Sequence, residues 1–76
     1  MVQELDRVVL LEALPEHGLE AGDIGTVVMV HQGGHGYTVE FLTLKGETVA
    51  LATLSHSQVR AIQTNEVAHA RQLTSV

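Results

Sequence analysis

Between Glu12 and Asp23 the chain gathers four carboxylates, Glu12, Glu16, Glu20 and Asp23, together with the imidazole of His17. Carboxylates do general acid or base chemistry when a cleft and a neighbouring group shift their pKa values. Exposed on a loop, they instead steer a basic partner by long-range attraction or keep a small apolar protein in solution. Pro15, Gly18 and Gly22 interrupt this stretch and mark it as an irregular loop. No second group at a fixed spacing completes an acid-base pair. The expectation is a non-enzymatic chain with no catalytic residues and no cofactor, whose acidic loop meets a basic patch on another protein.

Five histidines in so short a chain raise the question of a metal, because neutral imidazole is the commonest nitrogen ligand. His31 and His35 bracket a glycine-rich connection that could fold their rings together. Two ligands do not make a site, however. His17 and His56 fall on other loops, no His-Glu-x-x-His spacing occurs, and glycines preorganise nothing. These residues read as solvated loop histidines, and no metal site is expected.

The composition narrows the classes further. Seventy-six residues allow one domain with one small core, and the absence of cysteine removes disulfides and thiolate metal sites. No apolar run approaches the roughly 18 residues of a membrane span, so a soluble, cytoplasmic protein is expected. Four Lys and Arg against nine Asp and Glu leave a net charge of -5, which repels a phosphate backbone. Aromatic residues make up only 3% of the chain, so the core must be assembled from Val, Leu, Ile and Ala around Phe41.

The elements that carry these residues follow from periodicity and turn chemistry. Asp6 to Leu11 reads as a first strand, and Glu12 to Asp23 as a wide loop with Leu14, Leu19 and Ile24 tucked beneath it. Ile24 to His31 is a second strand whose Gly25 sits at a corner needing either positive φ or close backbone approach. Gln32 to Gly36, with three glycines, is a hairpin connection. Tyr37 to Thr43 alternates with period two, placing Tyr37, Val39 and Phe41 on one face. A turn over Leu44 to Glu47 leads into Thr48 to Leu54, where Ala50 and Ala52 suggest close packing. Ser55 to Gln58 fits one helical turn with a capping-box spacing, and Val59 to Ile62 closes the order. Strand, wide loop, strand, hairpin, strand, tight turn, strand, helical turn and short strand is the order of a five-stranded, all-β, SH3-like barrel over residues 1–62. Residues 63–76 form a C-terminal tail, frayed or partner-dependent, in which Thr64-Asn65 could cap a short helix through Leu73.

Several of these stretches carry a resemblance. Glu4 to Leu10, Leu14 to Leu19, Gly22 to Val28, Tyr37 to Phe41, Gly46 to Leu51 and Gln58 to Arg60 resemble the motifs of an uncharacterised family of short bacterial proteins, known only as a domain of unknown function. The resemblance reaches to about residue 62, leaves out the tail, and implies an SH3-like barrel without implying an activity. The architecture is more loosely similar to the KOW module of ribosomal and transcription proteins.

On the second strand, simple alternation places Thr26, Val28 and Val30 on one face and Val27 and Met29 on the other. The core is then expected to join Phe41 to Val8, Val28, Val30 and Val39. Val27 and Met29, with Val49 and Leu51, would either form an exposed apolar patch or be covered by the first loop or the C-terminal tail. Together these features predict a protein-interaction module, the small acidic partner of a larger bacterial protein in the manner of an antitoxin or immunity protein. Its partner-binding residues would be Glu12, Glu16, His17, Glu20, Asp23, Val27 and Met29, and a homo-oligomer stays open. A KOW-like RNA-binding or ribosome-associated module is the alternative, with only Arg7, Lys45, Arg60 and Arg71 to meet phosphate.

Overall fold

A computed structural model describes residues 2–73. Five strands, β1 (Arg7–Leu10), β2 (Ile24–His31), β3 (Gly36–Leu42), β4 (Thr48–Ser55) and β5 (Val59–Ala61), form one antiparallel sheet in the order β4-β3-β2-β1-β5. The chain thus runs as a meander through β4 and returns to place β5 beside β1. β4 and β5 are the two edges of the sheet and have no ladder between them among the described residues, so the sheet is open there. No helix among the described residues is long and apolar enough to cross a membrane.

The core follows from what faces what across β2, β3 and β4. Phe41 stands opposite Gly25 on one side and Ala50 on the other, while Val39 stands between Val27 and Ala52. Phe41 is the largest fully buried side chain, and the residues flanking it are small because its ring takes up the space above them. Val8 and Leu10 from β1, Leu54 from β4 and Val59 from β5 complete the cluster, with Leu14 and Leu19 closing it from the first loop. Burial of these side chains, at roughly 25 cal/mol for each Å² of apolar surface, is the main favourable term available to so short a chain.

One irregularity changes which residues reach the core. Val27 pairs with Val39 but Met29 pairs with Thr38, so β2 carries one extra residue, Val28, against β3. A bulge of this kind turns two consecutive side chains to the same side. Gly25 and Val27 therefore point inward, Val28 and Met29 both face outward, and Val30 returns to pack partly against the core. The alternation expected across β2 fails at this point: Val27 has no exposed surface, whereas Val28 lies 38% exposed. Val27, and not Val28, is the core partner of Val39 and Phe41.

Two other expectations differ from the structure. Ser55 to Gln58 forms a turn and no helix, although the capping-box contact is present: the Ser55 N–H donates to Gln58 Oε1 at 2.8 Å. Residues 62–73 contain no helix, and the expected cap at Thr64-Asn65 is a turn closed by the Glu66 N–H on the Gln63 carbonyl. A helix there would need a nucleus supported by packing. Val67, which with Ala70 and Leu73 would make the apolar stripe of such a helix, is 94% exposed.

Candidate functional site

The first loop is shaped by two leucines and two glycines. Leu14 and Leu19 bond to each other through their backbones and are both buried, pinching off a 3-10 turn at Pro15–His17 that Gly18 closes at φ +71°. Glu16 and His17, at the crest of that turn, are exposed to solvent. Beyond it, Gly22 at φ +97° lets the chain rejoin the sheet, its N–H donating to the Leu10 carbonyl at 2.7 Å. Asp23 then folds back, its Oδ2 accepting the Glu20 N–H at 2.8 Å. This backbone-to-side-chain bond sets Glu20 and Asp23 on one side of the loop, with the Gly18 carbonyl nearby.

Arg71 of the C-terminal segment occupies the position these three groups create. Its Nε donates to Asp23 Oδ1 at 2.8 Å and its Nη2 to Asp23 Oδ2 at 2.5 Å, a bidentate pair. Nη2 also donates to the Gly18 carbonyl at 3.2 Å, and Nη1 lies 3.6 Å from Glu20 Oε2. The Arg71 and Asp23 side chains are only 23% and 17% exposed, which shields the pair from part of the solvent screening that weakens most surface ion pairs. Burial pushes the Asp23 carboxyl up, but the hydrogen bond from Arg71, the Glu20 N–H and the Arg71 charge outweigh it and hold the group below its ordinary value.

A second clamp holds the beginning of the same segment. Arg60 on β5 donates from Nη1 and Nη2 to the two carboxylate oxygens of Glu66 at 2.8 and 2.6 Å, and the Gln63 N–H adds a bond of 2.7 Å to Glu66 Oε1. The Arg60 hydrogen bond, followed by that of Gln63, brings the Glu66 carboxyl down to about 2. Held at both points, the segment from Ala68 to Leu73 forms one wall of a groove of about 600 Å³ whose other wall is the start of β2 and the β3–β4 turn. Leu19, Ile24, Phe41, Leu42 and Val49 give it an apolar side, and its charged groups are of both signs, Asp23, Glu40 and Glu47 with Arg7 and Lys45.

Of the residues singled out from the sequence, the structure brings together only Glu20 and Asp23. Glu12 turns toward the β4–β5 connection, where its Oε2 accepts from Gln58 Nε2 at 3.1 Å. Val27 lies in the core and offers no surface to a partner. Met29 is half exposed, but it sits on the outer face beside Thr38, four residues along β2 from Gly25 and so roughly 13 Å from the groove end of that strand. Nor do Met29 and Leu51 make one patch, because Thr38 and Glu40 on β3 come between them, and Val49 is partly buried against the core. His31 and His35 are not paired: His31 Nε2 lies 2.7 Å from Thr38 Oγ1, while the His35 ring sits 6.3 Å from that of His56. Among the described residues no group of three or more His, Cys, Asp or Glu side chains converges on a metal position.

Sequence reasoning missed Arg71 as the counter-charge of the loop. The signal was there, since Arg71 is the one Lys or Arg in residues 63–76 of an acidic chain. Its partner lies 48 residues away, and no local pattern links the two.

The model of the family described as Domain of unknown function (DUF4926) matches residues 4–61, and the chain belongs to that family. No curated protein and no solved structure matches. The matched region contains Gly18, Glu20, Asp23 and every strand, and ends before the segment that carries Arg71.

Proposed function

We propose that this member of the DUF4926 family is a non-enzymatic protein-interaction module, built as an SH3-like barrel, that receives a cationic side chain of a partner at its first loop. The observation that carries this reading is the bidentate pair between Arg71 and Asp23, flanked by Glu20 and the Gly18 carbonyl. A preformed carboxylate with two oxygens and an added carbonyl acceptor matches the planar fork of a guanidinium, and the adjoining apolar groove supplies surface to bury. The barrel reading is supported by the return of β5 to β1 after a four-strand meander with a wide first loop, which is the strand order of SH3-like folds. The role of a small acidic regulator of a larger bacterial protein is consistent with the net charge of -5.

The KOW-like alternative has less to stand on. Of the four Lys and Arg residues, Arg60 and Arg71 are engaged with carboxylates, leaving Arg7 and Lys45 to meet phosphate. A pull-down with the full chain from lysate of its native cell, with and without nuclease, separates the two. A protein recovered in stoichiometric amount, released by moderate salt and lost on a Glu20→Gln/Asp23→Asn double substitution, is the expected result. Nucleic acid as the main bound species would overturn the reading.

A further inference from the structure

The segment that walls the groove docks on the first loop through its side chains, as a peptide ligand would. Residues 62–70 are all exposed and have no regular structure, so the segment is held by its side-chain contacts and not by a ladder of backbone bonds. Arg71 enters the acidic position, and Ala70 and Leu73 line the groove on either side of it. The receptor groups lie inside the family match and the occupant lies outside it. A short segment tied down at two points with few buried contacts opens easily, while its tether keeps it at a high effective concentration near the groove.

We infer that the groove between the first loop and the β3–β4 turn is a docking site for an extended, arginine-bearing segment of a partner protein, for which residues 68–73 are an intramolecular stand-in. The inference rests on the interaction-module reading and adds to it the chemistry of the partner. The partner segment presents an arginine to Asp23, Glu20 and the Gly18 carbonyl, with small or apolar neighbours to lie along Leu19, Ile24 and Val49. Charge complementarity at the first-loop end of the groove favours this occupant, since Asp23, Glu20 and the Gly18 carbonyl receive an arginine there in the closed form, away from which Arg7 and Lys45 also line the groove. Lysine fits less well, because a point charge cannot satisfy both Asp23 oxygens in the plane that Arg71 uses. The chain's own tail competes with the partner, so the free site is available only in the fraction of molecules whose tail has left it.

The test uses the full chain and a fluorescent peptide with the sequence of residues 66–73, followed by anisotropy. The Arg71→Ala protein, whose own tail has lost its anchor, should bind this peptide about tenfold more tightly than the wild-type protein does. The same peptide with Arg71→Ala should lose binding to that protein, and the peptide with Arg71→Lys should lose most of it. These peptide substitutions leave the protein unchanged, so a folding defect cannot imitate them. Failure of the Arg71→Ala protein to bind the wild-type peptide up to millimolar concentration would overturn the inference, as would equal binding of all three peptides. Wild-type protein that is dimeric in light scattering and monomeric as Arg71→Ala would assign the groove to a second copy and overturn the partner assignment. A failed peptide titration beside a successful pull-down sinks this inference alone, whereas a pull-down yielding only nucleic acid sinks the wider reading.

Discussion

The ring of Phe41 lies against the backbone of Gly25, its register partner across β2 and β3, so closely that a Cβ on Gly25 would stand 2.9 Å from Cε2 and 3.0 Å from Cδ2 of that ring. The same Cβ would meet Val39 Cγ1 at 2.5 Å. Gly25 is not in the left-handed region, so close approach, and not positive φ, is what requires glycine at this corner. Gly25→Ala should destabilise the fold by about 1–3 kcal/mol through overpacking, and Gly25→Val by more. Urea unfolding monitored by far-UV circular dichroism measures this; an unchanged midpoint for Gly25→Val would mean that the ring moves aside at no cost.

Phe41 is the only phenylalanine and is 2% exposed at the centre of a core otherwise made of aliphatic side chains and Tyr37. Phe41→Ala removes the ring that Gly25 and Ala50 are small enough to accommodate, and those neighbours cannot fill the space. A loss of about 3–5 kcal/mol is expected, enough to leave much of the population of so small a domain unfolded at 25 °C. Melting like that of the parent would show that the ring is not central to the core.

The bulge at Val28 separates Val27 and Met29, two positions that simple alternation places on the same face. Val27→Asp places an unpaired carboxylate in the core and should cost about 4 kcal/mol or more. Met29→Asp, two residues later on the outer face, should change stability by less than about 1 kcal/mol. Equal destabilisation by the two would remove the bulge from its position. Because Met29 lies away from the groove, Met29→Asp should also retain the partner captured by the wild-type chain.

The strands around Phe41 were legible because each rests on a local signal. Tyr37, Val39 and Phe41 alternate cleanly, three glycines mark the β2–β3 hairpin, and Ala50 and Ala52 sit where a large neighbour needs small partners. The bulge was not legible, since one extra β-branched residue in a run of valines changes no composition and only cross-strand pairing reveals it. The open edge between β4 and β5 was hidden for a similar reason: strand order can be read from turns, but closure depends on the geometry of the whole sheet. At the candidate site the acidic loop was visible, yet its division was not. Only the bond from the Glu20 N–H to the Asp23 carboxylate and the distant Arg71 distinguish Glu20 and Asp23 from Glu12, which bonds Gln58, and from Glu16, which is exposed on the 3-10 turn.

The two clamps make attachment of the tail depend on pH, with a definite sign. The carboxyls of Asp23 and Glu66 both titrate below their ordinary values in the folded chain, Glu66 at about 2. A carboxyl depressed by folding contributes stability that is present above its unfolded pKa and is lost as pH falls through its folded one. The docked tail should therefore persist from neutral pH down to the ordinary carboxylate range near 4.5, and be released progressively as pH approaches 2. Amide chemical shifts of residues 62–73, followed by NMR against those of Val39 and Phe41, separate release of the tail from unfolding of the sheet. Arg71→Ala should shift the tail amides toward their acid-released positions already at pH 7 while leaving the β3 resonances in place. Salt should act in the same direction as acid, though more weakly, because the Arg71–Asp23 pair is shielded on the side of the groove. Tail amides that do not move between pH 7 and pH 2 while the sheet stays folded would show that apolar contacts of Ala70 and Leu73, and not the arginine clamps, hold the segment in place.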